Sequence, residues 1–71
     1  MHASLRLGLY RHYKGGMYRL IGIAKHSETL EGMVVYQALN TGDLWVRPRI
    51  MWDEIVKVNG TSQQRFTYLE E

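Results

Sequence analysis

Apolar and polar residues alternate with a period of two along most of this chain, and the alternation breaks at short clusters of turn-forming residues. In LYRHYKGGMYRLIGIAKH, two runs rich in Tyr, Leu and Ile flank Gly15-Gly16. Glycine accepts the positive φ of a tight turn, so strands near 9–14 and 17–26 are expected to form a hairpin. A polar stretch, SETLEG, follows as a loop. A second hairpin is expected from MVVYQAL and LWVRP, joined by Asn40-Thr41-Gly42-Asp43, with Pro48 marking a strand end or an edge because it lacks an N–H. RIMWDEI suggests one short helical turn near 49–54, with Met51 and Ile55 inward and Asp53 and Glu54 exposed. Asn59-Gly60 marks a further turn, and QRFTYLEE reads as a closing strand. The pattern predicts a mainly β protein, a small SH3-like antiparallel barrel of five to six short strands; an open sheet capped by the helical turn is the second choice.

The turns also predict registers. A Gly15-Gly16 tip sets His12 opposite Arg19, and a Thr41-Gly42 tip sets Ala38 opposite Trp45 and Tyr36 opposite Arg47. One face of the second hairpin then gathers Val35, Leu39, Leu44 and Val46, the expected core. The other gathers Val34, Tyr36, Ala38, Trp45 and Arg47. On that displayed face Tyr36 and Arg47 are close enough to stack, and Ala38 leaves space above Trp45.

Seventy-one residues make a single domain, 1–71. At this size folding buries only about 60% of the unfolded chain's surface, so stability is modest and a homodimer stays open. There is no cysteine for a disulfide or thiolate metal site, which fits a reducing cytoplasm. Neither a signal peptide nor a membrane span is expected. Net charge is +2, yet residues 1–27 hold Arg6, Arg11, Lys14, Arg19 and Lys25 with no acid, and residues 28–71 hold four basic and seven acidic residues. Arginine outnumbers lysine six to three, which favours fork-like recognition of phosphate or carboxylate.

A flat aromatic, a guanidinium and a small-residue gap suit a ligand with a planar ring and an anionic group. The expected function is therefore a binding module for a nucleotide-like small molecule or single-stranded nucleic acid. Its ligand-binding residues would be Tyr36, Trp45 and Arg47, with His12 and Arg65 at the border. The low net charge argues against a long phosphate-tracking surface.

Two rival readings are a small hydrolase using His12 or His26 as base with Glu28 orienting it, and a protein-interaction barrel. For KHSETLE the structural alternative is a loop closed by Ser27 and Thr29 hydroxyls, with His26 packed at the strand end. No metal site is expected, since His2, His12 and His26 lack ligand spacing. No cofactor is implied either, because Gly15-Gly16 joins strands and opens no phosphate-binding helix.

Five segments, YRHYKGG at 10–16, AKHSETLE at 24–31, VVYQAL at 34–39, LWVRP at 44–48 and RF at 65–66, together resemble the family called domain of unknown function 1653. The resemblance spans about 8–69. It draws attention to His12, Tyr13, Lys14, His26, Ser27, Glu28, Tyr36, Trp45, Arg47, Pro48, Arg65 and Phe66, and implies no reaction. The chain departs from the family's pattern at Met51-Trp52, where Phe tends to follow Met, and at Gln64, where a proline often precedes the Arg-Phe pair.

Overall fold

The structure, a computed structural model, describes residues 5–71; His2 lies outside the described residues. The chain is mainly β: β1 (Gly8–His12), β2 (Met17–Lys25), β3 (Gly32–Ala38) and β4 (Leu44–Pro48), a 3-10 turn over Arg49–Met51, then β5 (Ile55–Val58), β6 (Thr61–Gln64) and β7 (Phe66–Glu70). Five strands form one antiparallel sheet in the order β4-β3-β2-β1-β7, and β5 and β6 form a separate hairpin. No ladder joins β4 to β7, so the described strands make an open sheet with two edges.

The first turn is longer than expected, and this resets the register. His12 N–H donates to the Gly16 carbonyl at 2.7 Å and Gly15 N–H to the His12 carbonyl at 2.7 Å, so the loop is Tyr13-Lys14-Gly15 with Gly15 at φ 105°. A three-residue loop with glycine at positive φ is a common alternative to the two-residue turn. The pairs become Tyr10 with Tyr18 and Leu9 with Arg19, and His12 falls opposite Gly16 in place of Arg19. The slip is odd, so it exchanges faces. Tyr10, Tyr18 and Leu20 now share the inner face, and Arg19 is spared burial.

In the second hairpin Ala38 N–H donates to the Asp43 carbonyl (2.9 Å) and Gly42 N–H to the Ala38 carbonyl (2.8 Å), closing a four-residue loop with Gly42 at φ 80°. Tyr36 therefore pairs with Trp45 and Val34 with Arg47, two positions from the expected register. An even slip keeps the faces, and Val34, Tyr36, Ala38, Trp45 and Arg47 do lie on one side. That side, however, is the core. Val34, Tyr36 and Ala38 are buried, whereas Leu39, Leu44 and Val46, expected inside, are exposed because no second layer covers their face.

What covers the inner face is Trp52, from just beyond the 3-10 turn. It is 1% exposed, stacked on Phe66 at 4.0 Å and 6°, with Tyr10 and Tyr36 edge-on at 5.3 and 5.1 Å. Met51 and Ile55, expected inward, are exposed. The core is thus an aromatic cluster of Tyr10, Tyr36, Trp52 and Phe66 with Leu20 and Val34 beside it. Offset and edge-on aromatic pairs of this kind add to plain burial. The Tyr10 hydroxyl donates to the Arg6 carbonyl at 2.7 Å, and burial pushes its pKa up. The Trp52 indole N–H is buried near that hydroxyl but falls short of hydrogen-bond geometry.

Asn59 and Gly60, at φ 52° and 80°, connect Val58 to Thr61 with both central residues at positive φ, the pattern of a type I′ hairpin. At the other end of the molecule Gly8 sits at φ 139°, where a Cβ would lie 2.5 Å from the Glu70 carbonyl oxygen and 2.7 Å from the Glu71 Cα. Both obstacles are backbone. Gly8→Ala is therefore expected to cost about 1–3 kcal/mol, the usual range for backbone strain, and to loosen β7 from β1. Urea denaturation and amide exchange at Leu69 and Glu70 would check this; an unchanged midpoint would refute it.

Candidate functional site

The polar side chains of interest gather where the two sheet edges approach each other. Arg47 lies near the end of β4 and Arg65 immediately precedes β7. Both guanidiniums bind one carboxylate: Arg65 Nε donates to Glu54 Oε1 at 2.9 Å and Arg47 Nη1 to the same oxygen at 3.4 Å. The backbone holds this arrangement from below, since Arg65 N–H donates to the Glu54 carbonyl (2.9 Å) and Tyr13 N–H to the Arg65 carbonyl (2.8 Å). Glu54, expected to be merely exposed, is the link between the edges. Its side chain keeps 38% of its surface, and each arginine side chain keeps 23%.

Aromatic rings support the cations. The Arg47 guanidinium lies 5.9 Å from the Phe66 ring centroid, and the Arg65 guanidinium and the Lys14 ammonium lie 5.6 and 5.8 Å from the Tyr13 centroid respectively. His12 completes the group. Its ring meets Phe66 edge-on at 5.0 Å and Tyr13 at 4.6 Å, and its Nδ1 accepts the Lys14 backbone N–H at 3.1 Å. With Nδ1 used as acceptor, the proton of the neutral ring sits on Nε2. Burial, followed by the positive charges of Arg65, Lys14 and Arg47, lowers the His12 pKa below its ordinary 6.5.

Of the residues expected to bind ligand, His12, Arg47 and Arg65 are brought together. Trp45 is two positions from Arg47 on the same face of β4 and 53% exposed, with no ring partner among the described aromatic pairs. Tyr36 is different. It is 8% exposed and packed on Trp52, Phe66 and Tyr18, so its ring is core and cannot serve as a ligand floor. It is also the partner of Trp45, and not of Arg47 as expected.

His26 and Glu28 lie apart from this cluster. His12 adjoins the first residue of β2 and His26 follows its last, so nine strand residues, roughly 30 Å at 3.3 Å each, separate them. A base–carboxylate pair of His12 with Glu28 is thereby excluded. At the loop itself, His26 Nδ1 accepts the backbone N–H of Glu28 (3.1 Å) and of Thr29 (3.4 Å), and Thr29 Oγ1 accepts that of Glu31 (3.2 Å). The imidazole braces a turn here. No group of three His, Asp or Glu side chains able to hold a metal occurs among the described residues. A separate open cavity of about 670 Å³, lined by Leu5 to Gly8, Arg19 to Ile21 and Glu71, sits at the start of β1 against the middle of β2.

Sequence reasoning missed Glu54, whose two partners are 7 and 11 residues away, and it undervalued Tyr13 and Lys14, which the resemblance had marked without a role. No short-range spacing signals the Glu54 bridge.

The fold and cluster define a class: a small, open, antiparallel β domain with a cationic and aromatic rim across its two sheet edges. The chain belongs to the family described as Protein of unknown function (DUF1653), whose model matches residues 8–68. A crystal structure of a protein belonging to that family, from Bordetella bronchiseptica, is similar over 92% of this chain and 87% of that one, at 38% identity and a TM-score of 0.84. Comparison with curated proteins gives no match. Among the described residues no helix is long and apolar enough to cross a membrane.

Proposed function

We propose that this protein is a binding module for an anionic, partly planar ligand, a nucleotide-like small molecule or a short stretch of single-stranded nucleic acid. The observation that carries this reading is the shared carboxylate. Arg47 and Arg65 share one acid, Glu54, and Lys14 adds a third positive charge over the Tyr13 ring, so the rim has a surplus of two. A second anion can therefore be held without displacing the first, by guanidinium N–H groups that Glu54 leaves free. Trp45, exposed two positions along β4, offers the adjoining flat surface. His12 Nε2–H adds a neutral donor.

In this reading the open sheet is a partial SH3-like barrel whose edges are joined by the side chains of Arg47, Glu54 and Arg65, and the binding surface is the seam. The protein is read as cytoplasmic because it carries no cysteine to oxidise. Net charge of +2 limits the footprint to a few phosphates.

Tryptophan fluorescence with a panel of nucleotides and short oligonucleotides tests this. Stacking on an aromatic is worth about 1–3 kcal/mol per base, so Trp45→Ala should weaken binding by about tenfold or more, and Arg47→Ala should weaken it comparably. Saturable quenching should vanish in Trp45→Phe, which leaves only the buried Trp52 as reporter. If no member of the panel changes the wild-type signal, the reading fails.

A further inference from the structure

We propose that the β4 edge is a homodimer interface, in which the β4 strands of two copies pair antiparallel about a twofold axis. β4 hydrogen-bonds to β3 on one side and, among the described residues, to no strand on the other. Edge strands are usually blunted by charged side chains, proline, bulges or cover, because unpaired N–H and C=O groups recruit another strand. β4 has Arg47 and Pro48 at its end but no lysine and no bulge, so its first three residues are left unguarded. Leu44, Trp45 and Val46 are consecutive and 63%, 53% and 60% exposed.

The hydrogen bonding of β3 fixes which backbone groups are free. Ala38 N–H binds the Asp43 carbonyl, and in an antiparallel ladder such bonded pairs alternate. Residues 43, 45 and 47 therefore point their backbone toward β3, and Leu44, Val46 and the carbonyl of Pro48 point outward. An incoming strand must pair with those three.

The charges then select the occupant. With the axis at Val46, Val46 meets itself, Trp45 lies opposite Arg47 and Leu44 opposite Pro48 of the second copy, while Arg49 lies beyond the strand in the 3-10 turn beside Asp53. The charged side chain of the strand, Arg47, then meets an aromatic ring, and the Pro48 carbonyl accepts the Leu44 N–H, leaving the Leu44 carbonyl to water because Pro48 has no N–H. Placing the axis at Trp45 sets Asp43 against Arg47. Moving it to Arg47 or Pro48 sets arginine against arginine. DLWVRP at 43–48 is thus complementary to a reversed copy of itself over a narrow range of registers. A foreign strand would need to reproduce that pattern, and the chain already contains it. The Trp45 side chain stays on the inner face, so the pairing adjoins the binding seam.

Because the chain has no cysteine, single cysteines report the axis cleanly. Val46→Cys is expected to oxidise to a covalent dimer at low micromolar concentration if the axis is at Val46, and Trp45→Cys if it is at Trp45, while Leu44→Cys, off either axis, forms no covalent dimer. Wild-type mass by light scattering should rise toward twice 8.3 kDa as concentration increases through the micromolar range. Val46→Lys should remain monomeric at tenfold higher concentration, with an unaltered circular dichroism spectrum. A wild type that is monomeric at millimolar concentration overturns the proposal, as does a Val46→Lys variant that dimerises like the wild type.

Discussion

Trp52→Ala is expected to leave the chain largely unfolded at 37 °C, whereas Trp45→Ala shifts its denaturation midpoint only slightly. The two tryptophans sit seven residues apart and their environments are opposite. Trp52 is 1% exposed and touches Phe66, Tyr10 and Tyr36 through three ring contacts, so its removal leaves a cavity bounded by all three core aromatics. Truncating a buried Trp or Phe costs about 3–5 kcal/mol. A chain this short holds about 5 kcal/mol in total, near the bottom of the usual range. Most of the stability would go with one side chain.

The buried, unpaired indole N–H of Trp52 refines the expectation. Trp52→Phe removes that unsatisfied donor and keeps an aromatic ring. It should therefore cost far less than Trp52→Ala. Trp45→Ala removes a half-exposed ring from an edge strand, and exposed substitutions of this kind usually stay within about 0.5 kcal/mol. Urea denaturation followed by circular dichroism separates the three variants. A folded Trp52→Ala with a near wild-type midpoint would mean that the sheet is held by something other than its aromatic cluster.

The contrast shows where the sequence was legible. Asn59-Gly60 announced its turn because the chemistry is local: two adjacent residues that tolerate positive φ suffice. The grouping of Val34, Tyr36, Ala38, Trp45 and Arg47 on one face was legible too, since strand alternation survives an even error in register. Which face is buried was not. That depends on Trp52 arriving from beyond β4 to cover Tyr36, and nothing within the hairpin encodes it. Gly15-Gly16 permitted both a two- and a three-residue loop, and only the tertiary requirement that Tyr10, Tyr18 and Leu20 share an interior chose between them. The mainly β class was fixed by periodicity. Closure into a barrel would need β4 and β7 to pair, and the described strands meet there through Arg47, Glu54 and Arg65 instead of a ladder.

That seam carries the second large effect: Glu54→Gln should weaken the fold and strengthen its hold on anions. The carboxylate accepts from both guanidiniums, and its removal leaves Arg47 and Arg65 facing each other with only their ring contacts. All three side chains keep contact with water, so the loss is about 1 kcal/mol and well short of the penalty for breaking a fully buried pair. The freed donors then bind solution anions several-fold more tightly, with a steeper salt dependence than in the wild type. The pH response carries a definite sign. His12 titrates below 6.5 in the folded protein, so the unfolded chain binds more protons between its own pKa and the lowered one. Stability contributed by neutral His12 is whole above pH 6.5 and is lost as pH falls through the folded value. In Glu54→Gln the protonated ring meets arginines no longer neutralised by a carboxylate, and the acid-side loss steepens. Added inorganic phosphate should raise the His12 pKa in both proteins, and more in the variant. Histidine Hε1 chemical shifts followed against pH, with and without phosphate, measure each of these directions. An unshifted His12 pKa in saturating phosphate would show that the anion does not sit at the Arg47–Arg65 seam.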